Sequence, residues 1–114
     1  FTTSVTIDPD ANIDTLGNDI QSELFYVSKE AVSNALKHSN GSEVDLSVGI
    51  ESSTGNIQLT IQDNGDGMDD VTLRSSGTQN MEKRMQRIGG DFSLENTSGG
   101  GLRACASVSH PDQE

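Results

Sequence analysis

The strictest pattern in this 114-residue chain is a pair of alternating runs. Val44, Leu46, Val48 and Ile50 take every second position of the first, and Ile57, Leu59 and Ile61 of the next, with Ser52-Ser53-Thr54-Gly55-Asn56 between them. Alternation with period two puts the apolar side chains of a strand on one face. A short polar spacer containing glycine lets the second strand fold back beside the first. The spacing predicts a β-hairpin with one buried face. It also turns Asp63 inward, because Asp63 continues the odd positions of Ile57, Leu59 and Ile61. A carboxylate aimed at the core is costly unless donors meet it. It either caps the following turn through backbone N–H groups or receives a ligand that brings donors of its own.

Around the hairpin the chain orders itself into one domain, residues 1–114. Thr3 to Ile7 alternates like a short strand and leads into an acidic loop from Asp8 to Asp14 containing Pro9. Helical character runs from about Asn18 to Ser39 and stops at Asn40-Gly41. A loop rich in Gly and Asp follows the hairpin, from Asn64 to about Ser76. A second helix, about Thr78 to Ile88, ends at Gly89-Gly90. Strands over about Asp91 to Glu95 and Leu102 to Val108 flank Asn96-Thr97-Ser98-Gly99-Gly100-Gly101, and the polar tail from His110 frays. These elements sum to an α+β fold: a two-layer α/β sandwich with helices on one face of a mixed, mostly antiparallel sheet. With 31% hydrophobic and 4% aromatic residues, the core is expected to be aliphatic, with Phe25, Tyr26 and Phe92 as its aromatic anchors. The first residue, Phe rather than Met, suggests a fragment of something longer.

Charge narrows the function classes. Seven Lys and Arg against eighteen Asp and Glu leave a formal charge of −11, which argues against nucleic acid or an anionic membrane as a partner. A polyanionic ligand would need a local positive pocket built from backbone N–H groups, a metal or a few basic residues. A single cysteine forms no internal disulfide, which fits a cytosolic protein. Cys105 falls opposite the apolar even positions of its strand and reads as a partly exposed, unreactive thiol. No apolar stretch approaches the length of a membrane-spanning helix.

Four polar clusters then stand out. On the first helix Glu30, Asn34 and Lys37 share one face, with Leu24, Phe25, Ala31, Val32, Ala35 and Leu36 on the other side. This is either a solvated face or a stripe able to hold a metal and a phosphate. Asp63 is followed by Asn64-Gly65-Asp66-Gly67, whose glycines suit a sharp turn or a close approach to something flat; the amino group of adenine is a donor of the kind Asp63 could meet. Ser75-Ser76-Gly77-Thr78-Gln79-Asn80-Met81 opens the second helix, where free N–H groups favour anions or a simple cap. Gly99-Gly100-Gly101 is a loose hairpin or a phosphate-contacting turn.

In this order the clusters resemble the catalytic and ATP-binding domain of sensor histidine kinases, in the GHKL superfamily with gyrase, Hsp90-type chaperones and MutL. Glu30 to Ser39 resembles the N box, Asp63 to Gly67 the G1 box, Gly77 to Arg84 the G2 region and Gly99 to Gly101 the last glycine box. Asn80-Met81-Glu82-Lys83-Arg84 followed by Gly89-Gly90 is similar to the nitrate-sensor and DesK-like subgroup. The resemblance implies a Bergerat ATP-binding fold with ATP and Mg²⁺ as cofactors. Asn34 would bind Mg²⁺, with Glu30 reaching the metal through water and orienting water or the nucleophile. Lys37 and His38 would lie near phosphate. Asp63 would hold the adenine amino group, Gly65 and Gly67 would let the loop pass the base, and Gly77, Thr78, Gly99 and Gly101 would complete the nucleotide site. It implies phosphoryl transfer to a histidine on a separate dimerisation domain of the same protein, then relay to a response regulator. The location implied is cytoplasmic, with no direct membrane contact from this domain. Ser75 and Thr78 stand where the family usually has glycine and leucine, and Leu102 where it usually has threonine. His38 and His110 lack the acidic neighbour of an acceptor histidine, so the fragment does not carry its own substrate. Three alternatives stay open: an anti-sigma-factor-type serine kinase, a nucleotide-binding module with impaired catalysis, and a GHKL molecular machine such as gyrase, which would need further domains on the chain.

Overall fold

The computed structural model describes residues 2–11, 13–38, 41–67, 69, 76–97 and 100–109. Strand β1 (Thr2–Ile7) is followed by two 3-10 turns, Pro9–Ala11 and Ile13–Thr15, where the sequence suggests only a loop. Helix α1 (Asn18–His38), strands β2 (Glu43–Ile50) and β3 (Ile57–Asp63), helix α2 (Ser76–Arg87) and strands β4 (Asp91–Asn96) and β5 (Leu102–Val108) complete the described elements. The strands form one sheet in the order β1-β2-β3-β5-β4. β1 lies parallel to β2 and every other pair is antiparallel. The expected mixed, mostly antiparallel sheet is therefore present.

Register explains the single buried face. Leu46 pairs with Ile61 and Val48 with Leu59, and across the next seam Ile61 pairs with Ala104 and Leu59 with Ala106. These small and branched side chains form the floor on which α1 and α2 lie. The opposite face carries Gln58, Thr60, Gln62, Arg103, Cys105 and Ser107, all partly exposed. Cys105 sits on that face as expected, near Thr60 and Gln58. A polar, solvated face is what limits the sandwich to two layers.

Helix α1 buries Leu24, Val27, Ala31 and Ala35, the i, i+3, i+7 and i+11 positions of one stripe. Phe25 and Leu36, expected on the buried side, are instead 70% and 52% exposed. The physical reason is angular: Phe25 lies about 115° and Leu36 about 135° from the centre of the Leu24/Val27/Ala31/Ala35 stripe. Of the expected aromatic anchors, Tyr26 and Phe92 are half-buried against the core and Phe25 is not. Met81 and Met85 of α2, fully buried, fill the space beneath it.

Helix α2 stops at the predicted glycines. Gly89 has φ +74°, and Gly90 N–H donates to Met85 C=O at 2.8 Å while Gly89 N–H donates to Gln86 C=O at 3.1 Å. This crossed pair is a Schellman cap, which needs the left-handed residue that glycine supplies. No helix among the described residues is long and apolar enough to cross a membrane.

Candidate functional site

The site grows from the end of β3. Asp63 faces the core as its alternation predicts and is 4% exposed. Its Oδ1 accepts from Gly65 N–H at 2.9 Å and from Leu102 N–H at 3.3 Å. One oxygen thus caps the turn and ties β3 to the start of β5. The other, Oδ2, takes no hydrogen bond from a described residue. It is not a sealed orphan either, since no fully buried side-chain oxygen among the described residues lacks a partner. Among the described residues, Oδ1 alone is engaged.

Asn64, which the sequence does not single out, clamps the same corner. Its Oδ1 accepts from Ser42 N–H at 2.8 Å and Glu43 N–H at 2.9 Å, and its Nδ2 donates to Ser42 Oγ at 3.1 Å. This draws Gly41, just past the end of α1, so close that a Cβ there would meet Gly65 N at 2.7 Å. The C-terminal end of α1 is thereby brought against the Asp63–Gly67 loop.

A third segment closes the corner. Thr97 N–H donates to Gly101 C=O at 3.1 Å and Gly100 N–H to Thr97 C=O at 3.1 Å, tying together the two ends of the β4–β5 connection. Gly101, at φ +90°, lies where a Cβ would strike the Asp63 carbonyl oxygen, and Gly67, at φ +80°, where one would strike Asn96 Oδ1. These two glycines answer close protein-to-protein packing around the carboxylate. Gly101 therefore belongs to the Asp63 end of the site. Leu102 contributes its backbone N–H to Asp63 and buries its side chain.

On α1, Glu30 and Asn34 are half-buried and Lys37 is exposed. None makes a hydrogen bond or ion pair with another described residue. The three lie along one flank of the buried stripe rather than opposite it, about 60–130° from its centre. On α2, Gly77 and Thr78 occupy the first turn. Thr78 is buried on the Met81/Met85 side of the helix. Gly99, Ser75 and the side chain of His38 lie outside the described residues. A further link was not legible beforehand: the Arg84 guanidinium stacks 3.7 Å above the Tyr26 ring and pairs with Glu23 at 3.4 Å, joining α2 to α1.

The structure thus presents a helix flank bearing a carboxylate and an amide, and a buried carboxylate with glycine turns packed around it. A family model described as histidine kinase-, DNA gyrase B-, and HSP90-like ATPase matches residues 19–112. The chain belongs to this ATPase family. Within it the domain is of the sensor histidine kinase type. Nitrate/nitrite sensor protein NarQ of Escherichia coli (strain K12) is 35% identical over 116 aligned positions, taking in 98% of this chain and 20% of NarQ. Sensor protein VraS of Staphylococcus aureus (strain COL) is 37% identical over 86 positions, 74% of this chain and 24% of VraS. The ATP binding domain of PrrB from Mycobacterium tuberculosis superposes with a TM-score of 0.65 at 31% identity, over 80% of this chain and 69% of that one. The Erythrobacter litoralis EL346 blue-light activated histidine kinase reaches a TM-score of 0.78 at 19% identity, over 98% of this chain and 36% of that one, a likeness of fold. This ATPase-family domain spans about a fifth to a quarter of the length of the two curated relatives named.

Proposed function

We propose that this domain binds Mg²⁺-ATP and passes its γ-phosphoryl group to a histidine on a separate dimerisation domain of the same protein, for relay to a response regulator on the cytoplasmic side. The observation that supports the reading is the divided use of Asp63: Oδ1 accepts from two backbone N–H groups, and Oδ2 has no partner among the described residues. The 6-amino group of adenine is a donor of the right kind, and a site built around such a bond rejects bases that lack it.

The remaining roles follow from chemistry. Asn34 offers an amide oxygen, and Glu30, one turn earlier, a carboxylate. Among the described residues no three His, Cys, Asp or Glu side chains gather to hold a metal. That donor set suits a cation such as Mg²⁺, which takes one or two protein ligands and completes its oxygen shell from phosphates and water. When bound, the metal would neutralise charge developing on the phosphates. Glu30 then stands where a carboxylate can orient the attacking group, and Lys37 adds a positive charge near phosphate. The N–H of Gly77, in the first turn of α2, would donate to a phosphate oxygen, and Thr78 keeps its proposed place beside the nucleotide on the resemblance. His38 and Gly99 keep their proposed places beside the nucleotide on the resemblance alone. Transfer of this kind rests on positioning and charge more than on covalent help.

The test joins this domain to the helices that carry the acceptor histidine and incubates the protein with radiolabelled ATP. The expected product is an acid-labile, base-stable phosphohistidine that disappears in Glu30→Ala and Asn34→Ala. A phosphoserine product, stable to acid, would overturn the histidine assignment.

A further inference from the structure

One face of α2 has no role in the site described above. Asn80, Lys83, Arg84 and Arg87 are spaced i, i+3, i+4 and i+7, so they share a side of the helix. The buried residues Thr78, Met81 and Met85 occupy another side, and Glu82, the helix's one acidic residue, lies about 150° away around the helix axis and bonds Gln86. Tyr26 of α1 forms the foot of this face, and together the five residues line a shallow cavity of about 180 Å³.

The charge of this patch runs against that of the chain. Three of the seven Lys and Arg residues of a −11 protein sit within it. Glu23 neutralises Arg84 and, with the Tyr26 ring, holds its guanidinium in place. Lys83 and Arg87 are exposed and pair with no described carboxylate, so that among the described residues the patch carries two positive charges outside any ion pair. An acidic surface that concentrates such cations on one side of one helix favours a small, localised anionic contact and repels an extended polyanion.

We propose that this face of α2 is a docking surface for a short acidic segment of a partner protein, its carboxylates meeting Lys83 and Arg87 and its backbone or side chains resting on Asn80 and Tyr26. The cavity is too shallow for a large apolar anchor, and Arg84 is already engaged. Two charge-assisted contacts from a rotamer-rich lysine and a fork-shaped arginine give a weak, salt-sensitive attachment. Nucleic acid and anionic bilayers, which present charge over a wide area, meet the negative remainder of the domain. This surface uses none of Glu30, Asn34 or Asp63, so its failure and the failure of the nucleotide site are separable.

The test measures fluorescence anisotropy of a labelled helical peptide of alternating Glu and Ala blocks against the folded domain at low salt. The expected result is saturable binding that weakens about tenfold or more when salt is raised from about 50 to 300 mM, and by a similar factor in the double variant Lys83→Glu, Arg87→Glu. Both positions are exposed, so an unchanged melting temperature certifies that variant, and Arg103→Glu on the far face of the sheet should bind like wild type. Equal binding by wild type and the double variant, equal loss in Arg103→Glu, or binding of inorganic phosphate or phosphatidylserine vesicles in place of the peptide would overturn the proposal.

Discussion

Asp63 concentrates the energetics of the site in one side chain. Its buried carboxylate satisfies the N–H groups of Gly65 and Leu102, so Asp63→Ala would strand two donors at a cost of about 1–3 kcal/mol. Asp63→Asn keeps an acceptor for those donors, and chemical denaturation should find it closer to wild type than Asp63→Ala. Its second polar atom changes character, however, and its affinity for an adenine nucleotide should still fall. Gly101 gives a sharper case. A side chain there combines a φ of +90° with collision against the Asp63 carbonyl, so Gly101→Ala should lose about 2 kcal/mol or more by thermal unfolding. A Gly101→Ala protein as stable as wild type would mean that the turn does not pack on Asp63 as described.

At the scale of elements, the two helices divide the work. Helix α1 presents its Val27/Ala31/Ala35 stripe to the sheet, and α2 fills the adjoining space with Met81 and Met85. Met85→Ala should therefore cost about 2–5 kcal/mol, while Phe25→Ser, at an exposed position, should shift stability by no more than about 0.5–1 kcal/mol in the same denaturation experiment. The strands, the glycine-capped end of α2 and the inward turn of Asp63 were legible in the sequence, because period two and left-handed glycine are local rules. The exposure of Phe25 was not, because a helix with apolar residues over a wide arc buries only the sector its neighbours leave room for. Asn64 and the Tyr26–Arg84 stack were hidden for a related reason. Their partners are set by how distant segments pack, Asn64 against Ser42 and Arg84 against Tyr26 and Glu23, and spacing along the chain carries no trace of it.

For the molecule as a whole, an excess of eleven negative charges on 114 residues opposes compaction through self-repulsion. Adding sodium chloride from about 20 to 300 mM should raise the melting temperature of the isolated domain by a few degrees; a fall would show that its charges are already compensated in pairs. The same charge makes the nucleotide claim demanding, since ATP must enter an acidic domain and be held by a few groups acting together. The most direct test is calorimetric titration of a non-hydrolysable ATP analogue with Mg²⁺ into wild type and Asn34→Ala, alongside the inosine analogue, whose base lacks the 6-amino group. Wild type should bind the adenine analogue only weakly without Mg²⁺. With Mg²⁺ present, Asn34→Ala and the change to inosine should each weaken binding by about tenfold or more. Binding that is indifferent to the metal, to Asn34 and to the base would contradict the site.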